Sequence, residues 1–255
     1  MKERIFRISA FAERCFLELV RDPLAYVFAL GFPLVMLAVM TVLNESIPPE
    51  AGMNVFRIDR LAPAVYMFGL TFLMLFAAIL VSGDRAEAFL VRLYISPMRR
   101  TDFLTGYAVP IVLLAVLQGI ITLVSAAGIA ALTDVSLTLT GVLAVIPVSV
   151  PSILLFIGFG LLFGALFHPK AAPPLSSVVI SAASFLGGMW MDLDSFPQDG
   201  VFAVVCNVLP FRHAVDAARL AMAADFTDIG GHLAVVLVWT AAVWTAAALA
   251  FRKQM

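Results

Sequence analysis

Charge is what this chain has least of. Asp, Glu, Lys and Arg make up 13% of its 255 residues, against roughly 25% in a soluble domain. That scarcity, with a mean hydropathy of +1.04, excludes an ordinary soluble fold. Cysteine and histidine are also scarce. Cys15 and Cys206, and His168, His213 and His232, stand far apart with no CxxC or Cys/His grouping, so no metal centre is expected. The topology below puts the two cysteines on opposite faces of a bilayer, where they cannot pair. No G-x-x-x-x-G-K-[ST] phosphate loop occurs, which excludes ATP hydrolysis by that route. No basic patch interleaved with aromatics points to nucleic acid. The long apolar runs contain no Asp, Glu, Lys or Arg, whereas ion-coupled carriers usually bury such a group.

What the chain does have is apolar runs at 24–43, 62–81, 103–132, 141–167, 175–191 and 231–251. About 20 helical residues cross a bilayer. The expectation is an all-α membrane protein, with six transmembrane helices over 23–255. Asp22 should cap the first span, with Pro23 in its first turn, and Pro33 should kink it. Residues 201–209 are apolar but, at about 1.5 Å per residue, too short to cross. They dip in and return, or lie at the surface. Residues 211–222, preceded by Pro210, read as an amphipathic helix with Arg212, Asp216 and Arg219 at i, i+4 and i+7. Together these segments predict a re-entrant helical hairpin before the last span. Gly160 and Gly164 have the spacing that permits close helix approach, a spacing that chance also produces in a Gly-rich span.

Residues 1–22 mix acids with bases and lack the apolar core of a signal peptide. On a helix of about 100° per residue, Glu3, Arg7, Arg14, Glu18 and Arg21 form one stripe. Ile5, Ile8, Ala12, Phe16 and Leu19 form the other. This predicts a helix lying in the membrane interface with its apolar face down. A helix packed on other protein would show the same pattern.

Six spans put both termini on one side. Twelve Lys and Arg fall on that side, and four (Arg57, Arg60, Arg212, Arg219) on the other. The positive-inside rule makes the termini cytoplasmic and the 201–222 hairpin external. It also makes cytoplasmic the charged island at 83–105, which holds Arg85, Glu87, Arg92, Ser96, Pro97, Arg99, Arg100 and Asp102. Such a loop either receives force from a soluble motor or only fixes topology and binds anionic lipid. The residues alone leave both open.

The run Arg92-Leu93-Tyr94-Ile95-Ser96-Pro97-Met98-Arg99-Arg100, followed by Asp102-Phe103-Leu104 and Gly106, resembles the cytoplasmic loop of type-2 ATP-binding-cassette export permeases. Arg21-Asp22-Pro23-Leu24 ahead of Phe32-Pro33, and Leu209-Pro210 with Val215-Asp216-Ala217-Ala218-Arg219, are similar to the same family. The island's start departs from it: Arg85 is followed by Ala86 and Ala88, with Glu87 the nearest acid. The resemblance implies a transport subunit, not an enzyme, in a bacterial or archaeal cell membrane. It implies a cytosolic ATPase partner that binds ATP and Mg, no cofactor in this chain, and a second permease copy or paralogue. It also implies docking of the ATPase on the island and on the helix bearing Arg7, Arg14, Glu18 and Arg21. The hairpin residues Pro210, Arg212, Asp216 and Arg219 would cap the exit. With 21 Phe against 4 Tyr and 3 Trp, an apolar or amphiphilic substrate is favoured over a polysaccharide. An ion-coupled carrier ranks third.

Overall fold

The computed structural model describes residues 2–48, 54–87, 100–133, 135–197 and 199–252, and every regular element among them is helical. Helix α1 spans Lys2–Arg21 and α2 Pro23–Ser46. They are followed by α3 (Ile58–Ala86), α4 (Arg100–Ala130), α5 (Leu139–Leu166) and α6 (Ala172–Leu186). The last three are α7 (Val201–Val208), α8 (Pro210–Met222) and α9 (Ile229–Arg252).

Asp22 does cap α2, accepting from the Leu24 N–H at 2.9 Å with Pro23 in the first turn. The disturbance expected at Pro33 is absorbed one turn earlier. Over Val27–Gly31 the helix widens, and the Phe32 N–H reaches back five residues to the Val27 carbonyl. Pro33 has no N–H and its ring crowds the preceding turn, so an adjusted turn ahead of it relieves the conflict.

Helix α3 is the axis of the bundle. It packs against α2, α4, α5, α6 and α8, while α9 packs on α5 and α8 and α1 runs along α4. Between Leu61 and Val81 nearly every α3 residue is buried, as a helix apolar on all sides should be. The Gly160–Gly164 spacing is a packing motif. A Cβ on Gly160 would lie 2.4 Å from the Met74 carbonyl, and one on Gly164 2.6 Å from Val81 Cβ. The two glycines therefore set how closely α5 approaches α3.

The helices and the apolar runs differ in two places. Around the run 62–81, α3 continues to Ala86, so the first residues of the charged island extend the span. They stay helical because their charges find partners, described below. Around the run 175–191, α6 has only 15 residues, about 22 Å of helix and short of a bilayer. It stops at Gly187-Gly188, where Gly188 takes φ +63° and a Cβ would meet the Leu193 side chain at 2.8 Å. Among the described residues, five helices are long and apolar enough to cross a membrane, or six if α7 and α8 count as one span bent by 74°. The bend falls at Leu209, held extended (φ −81°, ψ 150°) by the proline that follows it.

Of the two arrangements its sequence allows, helix α1 shows packing on other protein. Phe11, Cys15 and Leu19 are buried against the bundle. Phe11 sets its edge against Tyr107 and Phe103, with ring centroids 4.9 and 5.9 Å away. It lies over Gly106, where a Cβ would come within 2.3 Å of the ring. Ile5 and Phe6 remain 61% and 72% exposed, a second apolar strip that none of the described residues covers.

Candidate coupling site

The ends of α3 and α4 that flank residues 88–99 are tied to α1 by two ion pairs. Arg14 Nη1 and Nη2 donate to both carboxylate oxygens of Asp84, at 2.5 and 2.6 Å. The Tyr107 hydroxyl donates to the same carboxylate at 2.7 Å. Asp84, 3% exposed, therefore collects one donor group from α1 and one from α4. One turn into α4, Asp102 accepts from Arg4 Nε and Nη2 at 2.8 and 2.5 Å. A carboxylate buried this deeply needs such partners, because an unpaired one would be neutralised or destabilising. The bidentate Arg14–Asp84 geometry also fixes orientation, since a planar fork meets a planar carboxylate in few ways.

Charge and burial act together on this face. The hydrogen bond to Asp84 raises the Arg14 pKa above its usual value, and that to Asp102 does the same for Arg4. Burial pushes the Cys15 thiol up to about 12. Burial also raises Glu18, which still pairs with Arg14 at 2.9 Å.

Arg85, one residue after Asp84, turns the other way. Its Nη1 donates to the carbonyls of Gly164 and Phe167 at 2.9 and 3.1 Å, satisfying acceptors at the end of α5 and complementing its dipole. Glu87 ends α3 and is exposed, Arg100 opens α4, Arg7 is half-buried and Arg21 is exposed. Arg92, Ser96, Pro97 and Arg99 lie outside the described residues. Of the site residues singled out in the sequence, Arg14, Arg85 and Asp102 thus reach inward and knit three helix ends together. The sequence placed Arg14 on the charged stripe of α1 without a partner outside that helix, and it gave neither Arg4 nor Asp84 a role.

At the other end of α3 the hairpin residues form a second cluster. Pro210 is the first residue of α8 and is buried. Arg212 donates to Asp216 at 3.2 Å, Asn207 at 2.9 Å and Asp194 at 2.6 Å. Arg219 Nη2 donates to the Gly188 carbonyl at 2.9 Å. His213 and His232, far apart in sequence, meet Nδ1 to Nδ1 at 2.9 Å. The Nε2 of His213 faces the Asn207 carbonyl at 2.9 Å and must donate to it. His213 Nδ1 is then the acceptor and His232 Nδ1 the donor.

Apolar helices of spanning length, joined by short connections around a largely buried central one, define a multi-pass membrane protein. The family model for the ABC-2 type transporter matches residues 7–223. The chain belongs to this family, the membrane-spanning permeases of ATP-binding-cassette transporters. No curated protein matches the chain.

Proposed function

We propose that this permease exports an apolar or amphiphilic substrate, using ATP hydrolysed by a separate cytosolic subunit docked on the Arg4/Arg14 face. The observation that carries the reading is the pair of clamps. Arg14–Asp84 and Arg4–Asp102 tie one amphipathic helix to both spans that border residues 88–99. A displacement of that segment is then passed to α1, α3 and α4 together. Glu87, Arg92, Ser96, Pro97, Arg99 and Arg100 are the residues assigned to direct ATPase contact. Arg85 and Asp102 support them from behind, with Arg7, Glu18 and Arg21 on the adjoining helix. In this reading α6 crosses together with the 187–191 turn that prolongs it, both termini are cytoplasmic, α1 lies in the membrane interface on its Ile5/Phe6 strip, and α7–α8 form an external re-entrant hairpin. Two permeases pair in the cell membrane, and Pro210, Arg212, Asp216 and Arg219 shape the hairpin that covers the exit. The skew of Lys and Arg towards the α1 side supports this orientation. The large exposed apolar surface of α2 and α9, including Val35, Val39, Leu237 and Val238, supports a partner or lipid along those helices.

The test is co-purification with a candidate cytosolic ATPase subunit, comparing wild type with Arg99→Glu/Arg100→Glu. Charge reversal should weaken association at least tenfold, about 1.4 kcal/mol. Unchanged association together with unchanged ATP-dependent transport would remove the docking role. Transport by the chain alone under an ion gradient would instead favour a carrier.

A further inference from the structure

A cavity of about 450 Å³ opens among Asp59 and Arg60 at the start of α3, Asp192 and Asp194 in the turn after α6, Arg212, Asp216 and Arg219 on α8, and His232 on α9. Its position is informative. Asp59 and Asp84 are 25 positions apart on one helix, about 38 Å at 1.5 Å per residue. The hydrocarbon core of a bilayer is about 30 Å thick. With the α1 clamps at one membrane surface, the cavity lies at headgroup depth on the other.

What a ligand would meet there follows from which groups the protein already uses. The Arg212 guanidinium is committed to Asn207, Asp194 and Asp216, and Arg219 to the Gly188 and Arg60 carbonyls. The exposed Arg60 guanidinium has no hydrogen-bond or ion-pair partner among the described residues. Among the described residues, Asp192 accepts only the Asp194 N–H, at 3.1 Å, and Asp59 meets only Arg57, at 3.3 and 3.4 Å. The cavity therefore offers two under-used carboxylates beside one uncommitted guanidinium. That arrangement suits a ligand carrying a cation and an anion a few bonds apart. The carboxylates favour a primary ammonium, which can donate hydrogen bonds to them. Among the described residues no Trp, Tyr or Phe lines the space, so they form no aromatic cage of the kind that selects quaternary ammonium. Next to α8, helix α7 exposes Val201, Val204 and Val208, and α9 exposes Leu237 and Val238. The Trp239 Nε1–H, donating to the Val208 carbonyl at 3.0 Å, holds these two apolar flanks together.

We propose that this cavity binds the headgroup of a zwitterionic phospholipid with a primary amine. Its ammonium sits on Asp59 and Asp192, its phosphate on Arg60, and its acyl chains along α7 and α9. The assignment needs the chain to cross a membrane, and it is independent of the ATPase reading.

The test is native mass spectrometry of the whole purified chain in detergent with phosphatidylethanolamine, phosphatidylcholine or phosphatidylglycerol. Retention of phosphatidylethanolamine should exceed that of the other two by about fivefold, about 1 kcal/mol. Arg60→Gln and Asp192→Asn, both near the surface, should each reduce it to the phosphatidylcholine level without changing the elution profile. Equal retention of the three lipids, or a preference that survives both substitutions, overturns the proposal. Soluble phosphoethanolamine distinguishes the sources of the headgroup. If it binds at this site while the lipid does not, a small zwitterion is the ligand and the lipid assignment falls. If the lipid binds and phosphoethanolamine fails to displace it, the acyl chains are needed and the lipid assignment stands.

Discussion

Arg14 and Asp84 are 70 residues apart in sequence, yet two guanidinium nitrogens meet two carboxylate oxygens at 2.5 and 2.6 Å. The pair is asymmetric: Asp84 is buried, while the Arg14 side chain is 35% exposed. Breaking it should therefore depend on which partner is removed. Arg14→Gln leaves a buried carboxylate with only the Tyr107 hydroxyl, and should cost about 3 kcal/mol, the low end for a broken buried pair. Asp84→Asn leaves a guanidinium that can turn to Glu18 and water, and should cost less. The order of the two apparent melting temperatures in detergent checks this. The reverse order would mean that Asp84 is sustained by something other than Arg14.

Cys15 makes the docking of α1 measurable. It is fully buried, and its thiol is held up to about 12, above the ordinary 8.5 or so. In a Cys206→Ala background, maleimide at neutral pH should label Cys15 about a hundredfold more slowly than a cysteine placed by Ile5→Cys. Because the docked thiol is raised, its contribution to docking is whole below the ordinary thiol pKa. It weakens as pH climbs from there towards 12. Arg14→Gln should speed the labelling. Equal rates at the two positions would mean that α1 does not rest on the bundle.

The helices were legible in the sequence because their signal is local. Apolar runs of spanning length gave the cores of α2, α3, α4, α5 and α9, and Asp22-Pro23 gave the start of α2. The site was legible only by type. An arginine on an amphipathic helix looks solvated until its partner is known, and Asp84 lies 70 residues from Arg14. The same holds for His213 and His232, which the fold brings together from separate helices. The end of α3 was misplaced for a related reason. Asp84 and Arg85 look like loop residues by polarity, yet tertiary partners on α1, α4 and α5 keep them helical. Arg92, Ser96, Pro97 and Arg99 fall outside the described residues, so their part in docking rests on the resemblance.

Gly160 and Gly164 separate packing from helix propensity. At both, an added Cβ would collide with α3 backbone or side chains at 2.4–2.9 Å. Gly128, within α4, has nothing within 4 Å of such a Cβ. Gly160→Ala should destabilise by about 1–3 kcal/mol through overpacking, and Gly160→Leu should prevent assembly of α5 on α3. Gly128→Ala should be neutral or stabilise by up to about 1 kcal/mol. Thermal melting of the three variants decides. Equal losses at positions 128 and 160 would make the effect one of propensity.

Gln118 on α4 lies against Gly69 of α3, where a Cβ would fall 1.4 Å from its amide nitrogen. Both of its side-chain polar atoms, and the Tyr66 hydroxyl on the same helix pair, are buried without a hydrogen-bond partner among the described residues. Unpaired polar groups at this depth are a cost that shape alone does not require. Gln118→Leu keeps most of the volume and removes the amide, so the apparent melting temperature should rise, by the equivalent of about 1 kcal/mol or more. Tyr66→Phe should add a smaller rise. A fall in either variant would show that these groups are paired in the membrane. A rise accompanied by loss of transport would instead assign the amide to a step of the cycle, for which this conformation bears the cost in stability.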